Sequence, residues 1–127
     1  MYQSVYFTDK EMTRCSPPCH LDDLDEFLLM RLDEAREICG FPFYVNSAYR
    51  SVAYEQSMAR KGTSSHCKGL AVDLACKSSY IRMRMLEALI RVGFRRIGIY
   101  PTFIHVDLDD DKVSACWLDK GDVCRGG

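Results

Sequence analysis

The chain has 127 residues, 47% hydrophobic and 28% charged, the composition of one folded domain and not of a disordered or fibrous chain. Lysine and arginine number 17 against 18 for aspartate and glutamate, a formal charge of −1. That balance sets aside nucleic acid and anionic membrane as partners, since both are bound through a basic excess.

No apolar run approaches the ~20 residues of a membrane span. Residues Met1 to Phe7 lack the basic and apolar regions of an export signal. The expectation is one unit over residues 1–127, made in the cytoplasm, with no repeat or linker.

In chain order, Thr8-Asp9-Lys10-Glu11 has the form of a capping box and opens a short helix. The two prolines between Cys15 and Cys19 end it. From Leu21 to Cys39, Leu21, Leu24, Leu28, Leu32, Ala35 and Ile38 recur at helical steps, with Gly40 placed to terminate the helix. Phe43-Tyr44-Val45 reads as a strand, and Val52 to Arg60 as a short helix. Leu70 to Ala75 is a second strand after a polar loop. Ser78 or Ser79 caps a helix running to about Val92, with Ile81, Met85, Leu89 and Val92 on one face. Arg96 to Tyr100 and Phe103 to Leu108 form two more strands, and Ser114 to Leu118, with Trp117, a last one. Helices come mainly first and strands pair late through short turns. The class is therefore α+β, with a largely antiparallel central sheet of about four strands and helices packed on it.

Seven cysteines leave at least one thiol unpaired within a monomer. Cys15, Cys19 and His20 lie together near one end, Cys116 and Cys124 near the other. A structural zinc site drawn from both ends is one reading; scattered reduced thiols is the other.

The three histidines are more telling. An ionised Asp73 between Val72 and Leu74 is costly unless it is paired or bound to a metal. Strand alternation puts His105 and Asp107 on one face, and Ile104, Val106 and Leu108 on the other. With His66, seven residues before Asp73, the chain holds two imidazoles and a carboxylate. That is the ligand set of an open catalytic zinc site. Spacing alone leaves satisfied or surface residues as the alternative.

Ser64-Ser65-His66-Cys67-Lys68-Gly69-Leu70-Ala71-Val72-Asp73 matches S-x-H-x-x-G-x-A-x-D in full. On this motif the chain resembles the zinc D-Ala-D-Ala carboxypeptidase family, whose fold is shared with the hedgehog signalling domain. Ser47-Ala48-Tyr49-Arg50-Ser51 is similar to the S-G-Y-R-S segment that precedes the motif, with Ala48 replacing the usual glycine. Gly93 to Tyr100, followed by Phe103 to Asp107, resembles the closing segment.

The resemblance implies that His66, Asp73 and His105 bind one catalytic Zn²⁺. It implies that Arg50 binds a substrate carboxylate or the developing oxyanion, a task suited to a planar fork of donors. Ser64 would steady the loop, and Gly69 would let backbone pass closely beneath the metal. Many relatives carry the general base three residues before the last histidine. That position is Thr102, which cannot serve. Asp107 is taken as the replacement base, with orientation of the His105 imidazole as its alternative role. Cys67 has no third histidine placed to activate it and reads as a bystander thiol.

The function implied is zinc-dependent hydrolysis of a peptidoglycan stem-peptide or cross-bridge bond that involves D-amino acids. The enzyme would be a monomer of carboxypeptidase or endopeptidase type. As a phage endolysin it would reach the wall after release by a holin. The alternatives are a catalytically silent, zinc-stabilised binding module and the same peptidase carried in a phage virion.

Overall fold

Helix boundaries in the computed structural model, which describes residues 2–119, are set by side chains that bind backbone amides. Helix α1 (Asp9–Met12) is opened by a reciprocal capping box between Thr8 and Glu11. The long helix expected from Leu21 is divided. Leu21–Asp23 forms a 3-10 turn, Leu24 is extended, and α2 (Glu26–Cys39) starts only after Asp25. Asp25 is the reason: its carboxylate accepts from the amides of Phe27 and Leu28, which fixes the first turn there. Gly40, in the left-handed region at φ 80°, ends the helix. The buried face of α2 is Leu28, Leu29, Leu32, Ala35 and Cys39, whereas Ile38, expected inside, is exposed.

Strand β1 (Val45–Ser47) begins two residues later than expected, and α3 (Val52–Ser57) stops short of Arg60. Strand β2 (Ala71–Ala75) leads to α4 (Ser79–Arg91), capped by the Ser78 hydroxyl. Strands β3 (Arg96–Ile99), β4 (Phe103–Asp107) and β5 (Ala115–Leu118) follow.

The sheet has five strands in the order β1-β2-β4-β3-β5, so all five segments read as strands join it where about four were expected. Four of them pair antiparallel, and β5 joins β3 in parallel. Val72, Leu74, Ile97, Ile104 and Val106 point from one face into a core they share with Leu28, Leu32, Met85, Leu89 and Phe94. Helices α2 and α4 also pack on each other. The opposite face of the sheet carries the polar residues. No described helix is long and apolar enough to cross a membrane.

Candidate metal centre

One row across the sheet assembles most of the site. Ser47 on β1 lies opposite Asp73 on β2, and Asp73 opposite His105 on β4. His105 in turn lies opposite Gly98 on β3, and Gly98 opposite Trp117 on β5. Residues paired across strands share a face, so this row is the backbone of the site. An irregularity in β1 pairs Val45 with Leu74 and Ser47 with Asp73, which re-aims Ser47 onto that face. Two residues along lies a second row on the same face: Ala71, Asp107, Arg96 and Ala115.

His66 arrives from outside the sheet, in the 3-10 turn Ser65–Lys68. Ser64 caps this turn, its hydroxyl accepting the His66 amide at 3.1 Å. Gly69 closes it at φ +70°, where an added Cβ would lie 2.3 Å from the Asp23 carbonyl oxygen. The close approach that demands glycine here is to the chain before α2. The Gly69 carbonyl also accepts the Asp25 amide at 2.8 Å, tying the turn to the start of α2. On its other side, Ser65 donates to Asp109 at 2.7 Å, and Lys68 reaches the same carboxylate at 2.9 Å.

These supports bring His66, Asp73 and His105 together, with one ligand atom from each lying within 4.8 Å of the others. His66 Nε2 is 3.3 Å, and His105 Nδ1 2.9 Å, from the same Asp73 oxygen. Ligands about 2.0–2.1 Å from a tetrahedral zinc are themselves ~3.3 Å apart, so the donor set and its spacing fit that ion. The His66 ring is also fixed in the required tautomer. Its Nδ1 lies 2.6 Å from the Ala48 carbonyl, which can only accept, so Nδ1 carries the proton and Nε2 offers its lone pair. The substitution of alanine for glycine at position 48 leaves this carbonyl in place. The Arg50 amide, donating to the His66 carbonyl at 3.3 Å, adds a second tie.

The electrostatics are those of buried, mutually satisfied charges. Burial alone would raise the Asp73 carboxyl, but the imidazoles of His105 and His66 hold it well below the usual carboxylate range. Burial alone would lower His105; the carboxylates of Asp107 and Asp73 overcome this and hold its imidazolium above the ordinary value.

Arg50 places its fork beside the cluster. Nε donates to Ser47 at 3.1 Å, Nη2 to Asp73 at 3.3 Å, and Nη1 to Glu55 at 3.5 Å. Glu55 is fully buried and also paired with Arg60 at 2.9 Å.

Asp107 is committed within the protein. One oxygen lies 2.7 Å from His105 Nε2; the other accepts from Arg96 Nε at 2.9 Å and from the Asp109 amide at 3.0 Å. It is 1% exposed. Burial would raise its carboxyl, and His105, the Asp109 amide and Arg96 together lower it.

Arg96, Asp109, the Ala48 carbonyl and Trp117 were not singled out from the sequence. A buried arginine in an apolar strand, like Asp73 in its own strand, was the available signal for Arg96. A backbone carbonyl leaves no letter to find.

The cysteines stand apart from this cluster. The six described cysteines are free thiols. Among the described residues, the His/Cys/Asp/Glu group able to hold a metal is His66, Asp73 and His105, so a two-ended cysteine site finds no support there. Cys124 lies outside the described residues. Burial pushes the Cys67 thiol up, away from the thiolate a nucleophile needs.

The sequence pattern described as Peptidase M15 matches residues 5–107. The fold is similar to the crystal structure of the Serratia marcescens L-Ala D-Glu endopeptidase ChiX. The TM-score is 0.56 at 19% identity, covering 83% of this chain and 90% of that one. No curated protein sequence matches the chain significantly.

Proposed function

This chain belongs to the peptidase M15 family, and from that premise we propose that it is a zinc-dependent peptidase of peptidoglycan. Its substrate in this reading is a stem-peptide or cross-bridge bond involving a D-amino acid. The bond named for the Serratia protein, L-Ala–D-Glu, is the first to test. The observation that carries the proposal is the meeting of His66, Asp73 and His105 around one point, with the His66 proton held away from it by Ala48.

His66 Nε2, an Asp73 oxygen and His105 Nδ1 are the atoms that would hold the ion. Bound there, zinc supplies Lewis acidity toward the scissile carbonyl and activation of the attacking water. The chain's own residues prepare the rest. Asp107 accepts a hydrogen bond from His105 Nε2–H and so keeps Nδ1 turned to Asp73, a role its buried, fully bonded carboxylate suits better than accepting a proton from water. Arg50 has five N–H donors; Ser47, Asp73 and Glu55 occupy three, leaving two for a substrate carboxylate or a developing oxyanion.

The test is mass spectrometry of muropeptides after incubation with defined peptidoglycan, with and without chelator. Chelator-sensitive release that disappears in His66→Ala supports the reading. Absence of new amine termini, or release indifferent to chelator, would sink it. Within the same reading the protein is a monomer that serves as a phage endolysin. Lysis of producing cells only when a holin is co-expressed would support that role, and its recovery in purified particles would move it to the virion.

One observation favours a second reading, a catalytically silent zinc-stabilised binding module. Thr102 stands where many relatives carry the base, and Asp107 is fully engaged. Tightly bound zinc without hydrolysis of any wall substrate would decide for it.

A further inference from the structure

On the site face Trp117 and Tyr100 are aromatic side chains that neither the core nor the metal cluster requires. Trp117, on β5, stands in the same row as His105 but one strand beyond Gly98. An added Cβ on Gly98 would lie 2.5 Å from the indole Nε1 and 2.6 Å from Cε2. The indole therefore rests directly on the Gly98 backbone, and the missing side chain lets it reach His105, ring centre to ring centre 5.5 Å. It is fixed along β3 from both sides. The Arg96 guanidinium lies 5.0 Å from the ring centre, and the Nε1–H donates to the Tyr100 hydroxyl at 3.0 Å. Tyr100 in turn stacks on Phe103 at 4.4 Å, nearly parallel.

The hydrogen-bond direction matters. An indole N–H can only donate, so the Tyr100 oxygen accepts, and its own proton stays available. Among the described residues no acceptor takes it. Both side chains are only half-buried. A rigid aromatic plane and an unspent hydroxyl donor thus stand together beside the candidate metal ligands.

We propose that Trp117 and Tyr100 form a substrate-binding wall that takes one residue of a stem peptide flanking the scissile bond. The indole packs against a small aliphatic side chain such as that of alanine, since Gly98 and Arg96 already cover part of the ring. The Tyr100 hydroxyl donates to that residue's carbonyl oxygen. The inference rests on the peptidase reading and adds to it the residues that select the substrate.

The probe is the pentapeptide L-Ala-γ-D-Glu-L-Lys-D-Ala-D-Ala with the zinc-loaded full chain. Trp117 is the chain's single tryptophan, so its emission reports this wall alone. The expected result is a saturable emission change on adding pentapeptide. Tyr100→Phe raises KM about three- to tenfold, the scale of one neutral hydrogen bond, with kcat and zinc affinity unchanged. Trp117→Phe, which keeps a plane, has a smaller effect in the same direction. An unchanged KM in Tyr100→Phe, or a parallel fall in its zinc affinity, overturns the wall. So does calorimetric binding of the peptide that leaves Trp117 emission unmoved. A wild-type protein that neither binds nor cuts the pentapeptide nor cleaves whole peptidoglycan overturns the peptidase reading and the wall with it.

Discussion

On one face of the sheet Val72, Leu74, Ile104 and Val106 join an apolar core; on the other, the residues between them, Asp73, His105 and Asp107, meet one another and Arg50 and Arg96. Asp73 and Asp107 are nearly as inaccessible as the core residues. The strands are the same, so the difference comes from period-two alternation alone. Apolar side chains gain from burial with any well-fitting neighbour. Buried charges require named partners in fixed places, and losing one partner strands the other. The core face therefore tolerates variation in identity if volume is kept, whereas the site face tolerates almost none.

The sharpest way to break this contrast is to truncate one residue from each side of it. His66→Ala should lower zinc affinity by more than the ~100-fold typical of losing an outer partner, and wall hydrolysis should fall with it. Ile104→Ala, by contrast, should cost about 2–5 kcal/mol of stability while activity per folded molecule stays near wild type. Denaturant titration alongside zinc competition checks both. If Ile104→Ala removed zinc binding as completely as His66→Ala, the two faces would not be separable. Asp107→Asn is the next largest. As the residue that holds His105, Asp107 should lose about 10–100-fold in zinc affinity when amidated. If it were the general base, turnover would collapse with zinc affinity intact.

How far the sequence foretold these faces varies by element. The alternation from Ile104 to Asp107 put Ile104 and Val106 on the core face and His105 and Asp107 on the other, because a local period decides it. The Ser64 to Asp73 motif likewise named His66 and Asp73, two of the three residues that meet, since motif order survives folding. The start of α2 was misplaced: a helical stripe through Leu21 and Leu24 is indifferent to whether Asp25 binds the next amides. The parallel pairing of β5 with β3 was invisible, because strand partnership depends on the chain's route and not on the strand. Without that pairing, Trp117 could not be placed beside His105, nor Arg96 recognised as the link between Asp107 and the indole.

Gly98 tests that link from the backbone side. Gly98→Ala inserts a methyl into the space of the indole and should cost about 1–3 kcal/mol, the range for overpacking. Displacement of Trp117 should appear as a red-shifted emission. An unchanged midpoint and spectrum would show that the indole does not rest on Gly98.

The smallest expected effect lies at the edge of the site face, where Asp109 clamps the His66 turn through Ser65, Lys68 and Lys112. Burial would raise this carboxyl, yet the Lys68 ammonium and the Ser65 hydroxyl outweigh it and hold it down at about 2. In the unfolded chain the value returns to ~3.9. A depressed carboxyl stabilises the fold fully above its unfolded value and loses that contribution as pH falls through the folded one. The clamp's share should therefore disappear between about pH 4 and pH 2. Above that window Asp109→Asn should be less stable than wild type by a pH-independent amount, and below it the two should converge. Urea midpoints at pH 7, 4, 3 and 2 measure this. Parallel curves across the window would mean that Asp109 shapes the turn through its hydrogen bonds alone, and that its charge adds nothing to holding His66.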